Sequence, residues 1–289
     1  MMLQNLFGRV PLRVWRSFAP QVAVVRLVGV IGPLVPWRSG LSLGGLAGVL
    51  ERAFQMKPLA AVALVVNSPG GSASQSALIA GRIRQLATEK GVPVLAFIED
   101  VAASGGYWIA SAADEIFAVE TSIVGSIGVI AAGFGFHELI KRLGIQRRLY
   151  TAGERKAMLD PFLVEDPGDI ERLKSLQHEV HEVFKAAVRS RRASKLKAPE
   201  ETLFSGEFWT GRRALELGLV DGIGELRGTL RERFGDKVRL RLIGRERGWL
   251  RRRIGLGLPQ AETAGSPTDW AAEILAAAEG RSIWARYGL

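Results

Sequence analysis

The sequence predicts an α/β protein with a mainly parallel sheet. Two unbroken apolar runs, Leu59 to Val66 and Val94 to Ile98, have the composition of strands buried on both faces. Turn residues bound them: Asn67-Ser68-Pro69-Gly70-Gly71 closes the first, and Gly91-Val92-Pro93 opens the second. Stretches of helical spacing separate the strands, and that alternation gives parallel strands joined by right-handed crossovers.

Taken in order, Gln21 to Ile31 reads as a β-branched strand ended by Gly32-Pro33. Leu46 to Phe54 has helical spacing and precedes the Leu59–Val66 strand. Ser72, with Gln75 three residues on, forms a capping box for a helix running to about Lys90. After Val94–Ile98 come Ser104 and a short helix over Trp108–Ala113. Strands are then expected at Glu115–Val119 and Ile123–Ile130, a helix at Phe136–Leu143 and a strand at Gln146–Thr151. A long amphipathic helix is expected from about Asp169 to Ser194. Gly211–Leu217 is read as a helix and Gly218–Gly222 as a turn. Glu225–Phe234 and Lys237–Ile243 then read as a helix and a strand. The expected organisation is a basic, partly apolar lead (1–20), one main domain (21–243), and a basic tail (244–289) with a terminal helix over Asp269–Glu279.

At 289 residues, 47% of them hydrophobic and 24% charged, the chain can bury a sizeable core. It has no cysteine, which excludes disulfides and thiolate chemistry. With only three histidines, a His-rich metal site is not expected, and no cofactor is implied. The net charge of +10 raises the question of an anionic partner. Nucleic acid is not expected, because no zinc finger, helix-turn-helix or aromatic-basic signature accompanies the charge. An anionic membrane surface suits the polybasic ends, and a solvated basic surface suits them equally. No run reaches the ~20 apolar residues needed to span a bilayer, and Arg9, Pro11, Arg13 and Arg16 interrupt any signal-peptide core. A cytoplasmic or peripheral location is therefore expected. Leu3, Leu6, Phe7, Val10, Val14, Trp15 and Phe18 could line an interfacial face opposite those arginines, although Pro11 breaks a continuous helix.

The chemistry centres on Ala103-Ser104-Gly105-Gly106-Tyr107. A serine at a strand-to-helix junction, followed by glycines, can be held on a tight turn with its hydroxyl exposed and backbone N–H groups nearby. Such a serine is either an acyl-transfer nucleophile or a plain helix cap. A nucleophile needs a base. His137 is one candidate, since His178 and His181 fall within a long helix. Lys156, in the glycine-flanked loop Gly153-Glu154-Arg155-Lys156, is the other. A lysine base must be unprotonated, so its pKa has to come down by roughly 2–3 pH units from about 10.4.

Four motifs occur in one order: Asn67-Ser-Pro-Gly-Gly71, Ala103-Ser104-Gly-Gly-Tyr107, Gly125-Ser-Ile-Gly-Val129 and Gly153-Glu-Arg-Lys156. Together with Thr210-Gly211 and Gly218-Leu-Val-Asp-Gly222, they resemble the signal peptide peptidase A family of Ser-Lys serine peptidases. The likeness runs from about Val22 to Gly224. It implies a Clp protease/crotonase-like spiral of ββα units, with Ser104 as nucleophile and Lys156 as general base. Ser126 would hold the lysine, and Gly71, with Gly70 and Gly105, would form the oxyanion and substrate-binding edge. It also implies homo-oligomers in rings or domes whose active sites can draw on neighbouring subunits, acting on signal peptides or on unfolded or membrane-derived polypeptides. Two other readings use the same fold: an inactive membrane-surface scaffold, and a crotonase-like acyl-CoA enzyme.

Overall fold

The computed structural model describes residues 19–35, 38–153, 155–244 and 282–289. The apolar runs form strands, as their composition requires. β1 (Gln21–Val28) leads through the short antiparallel pair β2 (Pro33–Val35) and β3 (Arg38–Ser39) to α1 (Leu43–Gln55). β4 (Ala61–Ser68), α2 (Ala73–Lys90), β5 (Val94–Ala103) and α3 (Gly105–Ala110) follow. Then come β6 (Glu115–Ala118), β7 (Ile123–Gly125), α4 (His137–Arg142) and α5 (Pro167–Arg192). The remaining elements are α6 (Glu200–Leu203), β8 (Phe208–Thr210), α7 (Gly211–Leu217), β9 (Gly222–Ile223), α8 (Leu226–Phe234) and β10 (Arg239–Leu242).

The main sheet runs β10-β1-β4-β5-β6-β9, with every one of those neighbours parallel, so the α/β class and mainly parallel sheet are as expected. β5 is long enough to serve two partners along one edge. Its first half pairs with β6, and Val101–Ala103 pair with β7, to which β8 is antiparallel. One face carries the larger apolar layer, where α1 presents Leu46, Val49, Leu50, Ala53 and Phe54, and α2 presents Ile79, Ala80, Ile83, Leu86 and Ala87. Trp108 of α3 stacks on Phe184 of α5 at 4.5 Å between ring centroids. The other face packs Val22, Val24, Ala63, Val65, Leu95 and Phe97 against Leu230 of α8.

Several expectations change. The strand at Ile123–Ile130 stops at Gly125, because φ turns positive at Gly125 (116°) and again at Ser126 (53°). The strand at Gln146–Thr151 does not form; these residues are coil, exposed, and no sheet edge reaches them. The short helix begins at Gly105 rather than Trp108. Ser72 caps α2 by accepting from Gln75 N, but the reciprocal arm of the capping box is not made. The Gln75 Oε1 instead accepts from Leu43 N, and Ser72 N donates to Ile31 O. The helix expected at Asp269–Glu279 and the lead up to residue 18 lie outside the described residues.

A buried polar frame closes the layer beneath α3. Arg192, 1% exposed, donates to Asp221 Oδ2 at 2.6 Å and to Gly218 O at 2.7 Å. Lys195 reaches Asp221 Oδ1 at 2.8 Å, and Tyr107 Oη donates to Leu219 O at 2.8 Å. Burial pushes the Asp221 carboxyl up, but the hydrogen bonds from Arg192 and Lys195 outweigh it and hold the group below the usual carboxylate range. Burial also pushes the Tyr107 phenol well up, so it stays protonated and donates. Because the Asp221 pKa is depressed on folding, its contribution is complete above about pH 4 and is lost as pH falls through the folded value. Asp221→Asn should leave Arg192 buried without its counter-charge and cost about 3 kcal/mol. Urea unfolding at pH 7 and at pH 3.5 checks this: the variant should lose less stability on acidification than the parent.

Candidate active site

Three chain segments with unusual backbone meet at the end of β5. Ser104 has φ 52° and ψ −124°, a conformation L-residues avoid, and it occupies the N-cap of α3 without making a side-chain cap hydrogen bond. The capping role weighed from sequence is therefore not the one its hydroxyl plays. Ser104 N donates to Gly125 O at 2.8 Å, and Ser104 O accepts from Trp108 N at 3.0 Å. The register Ala103↔Gly125 puts Ser104 and Ser126 directly after paired positions on adjacent parallel strands. Ser126 is itself at φ 53°, its N–H donating to Glu207 O at 2.6 Å.

The third segment is the turn after β4. Gly70, at φ 103°, abuts the serine so closely that a Cβ there would lie 2.8 Å from Ser104 Cβ and 2.9 Å from Ala103 O. Gly70 O accepts from Ile31 N, and Gly71, at φ 137°, pairs with Ile31 as an isolated parallel bridge. A Cβ on Gly71 would sit 2.1 Å from Ile31 O, so only glycine fits. No protein acceptor takes the N–H of Gly71 among the described hydrogen bonds, and that of Gly105 opens α3, where helical N–H groups have no intrahelical partner. The site thus combines a half-buried serine, a second serine beside it and free backbone donors. Gly105 and Gly106 pack inward against Ser76 and the Ser68 carbonyl, which lets α3 start directly under the serine.

The structure brings Ser104, Ser126, Gly70, Gly71 and Gly105 together. Lys156 is not among them: it is exposed, and no hydrogen bond joins it to Ser104 or Ser126 among the described residues. An exposed lysine lacks the apolar surround that a lysine base requires. Lys156 lies on the segment joining β7 to α5, which folds on itself. Phe136 sits between Phe134 and Phe162 at ring-centroid distances of 6.3 and 5.7 Å, and Arg147 bridges to Asp160 at 2.8 Å. Among the described residues, none from Gly128 to Val183 is buried. His137, the alternative base, stands on that segment beside Glu138 at 3.5 Å.

Three contributors escaped the sequence reading. His181 Nε2 lies 3.1 Å from Ile127 O, fixing the loop after Ser126 to α5. The Trp209 ring covers Gly125, 2.8 Å from where a Cβ would stand. Tyr287 Oη donates to Ser126 Oγ at 3.3 Å, and its ring meets Phe208 edge-on at 5.1 Å. The only signals in sequence were an isolated histidine and scattered aromatics, which carry no spacing information. Among the described residues no cluster of acids and histidines could hold a metal ion.

A strained serine at a strand-to-helix turn, lined by glycine N–H groups, is an arrangement that suits serine hydrolase chemistry. The chain belongs to peptidase family S49, whose sequence model matches residues 87–236. It is 50% identical over 295 residues to a sequence named Na(+)/H(+) antiporter NhaA from Brucella abortus, a match covering 99% of this chain and 39% of that one. It is 33% identical over 214 residues to the chloroplastic serine protease SPPA of Arabidopsis thaliana, covering 71% and 31%. A putative signal peptide peptidase SppA of Enterococcus faecium is 33% identical over 175 residues, covering 61% and 50%. The chain therefore spans half or less of the length of each of these relatives. A solved structure of a point mutant of the 1510-N membrane-bound stomatin-specific protease aligns at 18% identity with a TM-score of 0.49, covering 78% of this chain and 99% of that one.

Gly70→Ala tests the packing of this site. The substitution forces a Cβ into Ser104 at a positive φ, and should cost about 1–3 kcal/mol while leaving the rest of the sheet intact. Thermal unfolding of Gly70→Ala beside Gly81→Ala, whose Cβ would meet open space, gives the comparison.

Proposed function

We propose that this chain is a serine endopeptidase working through Ser104 and Lys156, with residues 21–243 as its catalytic unit. The observation that carries the reading is the backbone of Ser104, held at φ 52° against Gly70 and one register step from Ser126. Ser104 Oγ attacks the peptide carbonyl and gives its proton to Lys156 Nζ. The carbonyl oxygen becomes an oxyanion facing the N–H groups of Gly71 and Gly105, and such a donor is worth about 3–4 kcal/mol in the transition state. Collapse releases the amine, which takes the proton from Lys156, and leaves Ser104 acylated. Lys156 then draws a proton from water, and hydroxide attack frees the acid and the serine. Ser126 Oγ orients the lysine. Extended, unfolded polypeptides with small or apolar residues at the cut, signal peptides or membrane-derived segments among them, fit a site opening at a sheet end.

In this reading Lys156 reaches its serine by oligomerisation. A long segment without a buried residue, carrying Phe134 at 81%, Tyr150 at 90% and Val164 at 74% exposure, is surface that assembly between copies would cover. The base on that segment of one copy then meets Ser104 of the next.

Mixing variants tests both parts at once. Ser104→Ala and Lys156→Ala alone should each lose at least about a thousandfold in cleavage of a fluorogenic peptide. Subunits of the two, unfolded and reassembled together, should recover on the order of a quarter of parental activity if serine and lysine come from adjacent copies. The parental rate should rise with pH as the base loses its proton. Full activity in Lys156→Ala would remove the dyad and return His137 to consideration. Loss in both variants with no recovery on mixing would place both residues in one chain.

A further inference from the structure

The long helix α5 joins the core only in its second half. Its buried residues are Phe184, Val188 and Arg192, which fall on one stripe. Phe184 stacks on Trp108 of α3 at 4.5 Å, with the two ring planes 6° apart. Trp108 N in turn donates to Ser104 O at 3.0 Å, so this ring stack bears on the first turn of the helix that Ser104 opens. His181 stands three residues before Phe184, on the same face of α5, and is half-buried. Its Nε2 lies 3.1 Å from the carbonyl oxygen of Ile127, the residue that follows Ser126. Two neighbouring positions on one helix face therefore reach both serines, each through an intermediary.

The chemistry of that contact has one direction. A carbonyl oxygen only accepts, so His181 carries a proton on Nε2 and donates it. Ile127 is 0% exposed, and among the described residues no other donor reaches its oxygen. A buried carbonyl that loses its donor is costly, and the loop would shift to satisfy it. The other bonds of this loop run elsewhere. Ser126 N donates to Glu207 O at 2.6 Å, on the approach to β8, and Gly128 N closes back on Ser126 O at 3.0 Å. Among the described hydrogen bonds, the one from His181 is what ties the loop to α5 and, through Phe184 and Trp108, to the helix of Ser104. The sheet fixes Gly125 to Ser104 N, but Ser126 lies one residue beyond that bond at φ 53°.

We propose that His181 is a positioning residue of the peptidase. By holding Ile127 it sets where Ser126 Oγ stands relative to Ser104, and so where the base lysine is held. The inference rests on the reading of Ser104 as nucleophile and of Ser126 as the group that orients the lysine. It adds to that reading a residue whose own polar contact is to backbone and which moves no proton in the reaction. A role confined to packing would make a different prediction: loss of His181 would then weaken the fold and reduce activity equally whether or not Ser126 is present.

The test measures kcat and KM of the full chain on a fluorogenic peptide. His181→Leu fills the space without a donor, whereas His181→Gln keeps an amide N–H at a similar reach. His181→Leu should lower kcat by about 10- to 100-fold with KM within about twofold, and His181→Gln should recover most of that loss. Added to Ser126→Ala, His181→Leu should cost less than about twofold more, because the group it positions is gone. Circular dichroism checks that each variant is folded. If His181→Leu is not, His181→Asn, whose amide is too short to reach Ile127 O, takes its place. If Ser126→Ala is too slow to measure, the comparison of Leu with Gln decides. Equal losses in both backgrounds, no recovery with Gln, or parental kcat in a folded variant without the donor would each overturn the proposal. Cleavage that survives Ser104→Ala would instead remove the peptidase reading, and the inference with it.

Discussion

A serine at φ 52° and ψ −124° is unfavourable on its own and persists only where its surroundings leave no alternative. Here the surroundings are backbone. The N–H of Ser104 is tied to Gly125 O, its carbonyl starts α3, and Gly70 presses on its Cβ from the end of the neighbouring strand. None of these contacts can relax independently, because Gly70 is fixed by Ile31 and Gly125 by β8 and the Trp209 ring. The glycines at 70, 71, 105, 106 and 125 are therefore one requirement: three backbones converge where no side chain fits. The layer beneath answers the same need, since Tyr107 fixes α3 to Leu219 while Arg192 and Asp221 fix that loop to α5.

The two halves of the proposed site sit on opposite kinds of structure. Ser104, Gly71 and Gly105 are built onto the parallel sheet, with core on both faces. Lys156 belongs to a segment whose apolar residues, among them Phe134, Phe136 and Leu143, touch chiefly each other and solvent. In the proposed mechanism a base on this segment gains an apolar surround only where another copy covers it.

The sheet was legible in sequence because burial on both faces leaves an unbroken apolar run, and β4 and the first half of β5 are such runs. The reading ended β5 at Ile98 because Glu99 and Asp100 interrupt the pattern. The strand continues because those acids are not buried in the core: Glu99 pairs with Arg26, and Asp100 accepts from Asn67 Nδ2. Gln146–Thr151 had the composition of a strand with no neighbour to pair with, and propensity alone does not make one. At the site, glycine and serine positions were legible from their motifs. The roles of His181, Trp209 and Tyr287 were not, because each depends on a contact more than fifty residues away in sequence.

The surface divides along the strand order. The edge strand is β10, with Arg239 and Arg241 exposed, the Ser104 turn follows β5, and the exposed apolar segment departs from β7 on the far side of β5. At about 4.8 Å per strand, β10 and β5 are roughly 14 Å apart across the sheet. The exposed apolar segment thus leaves the sheet beyond β5, at least three strands away from β10.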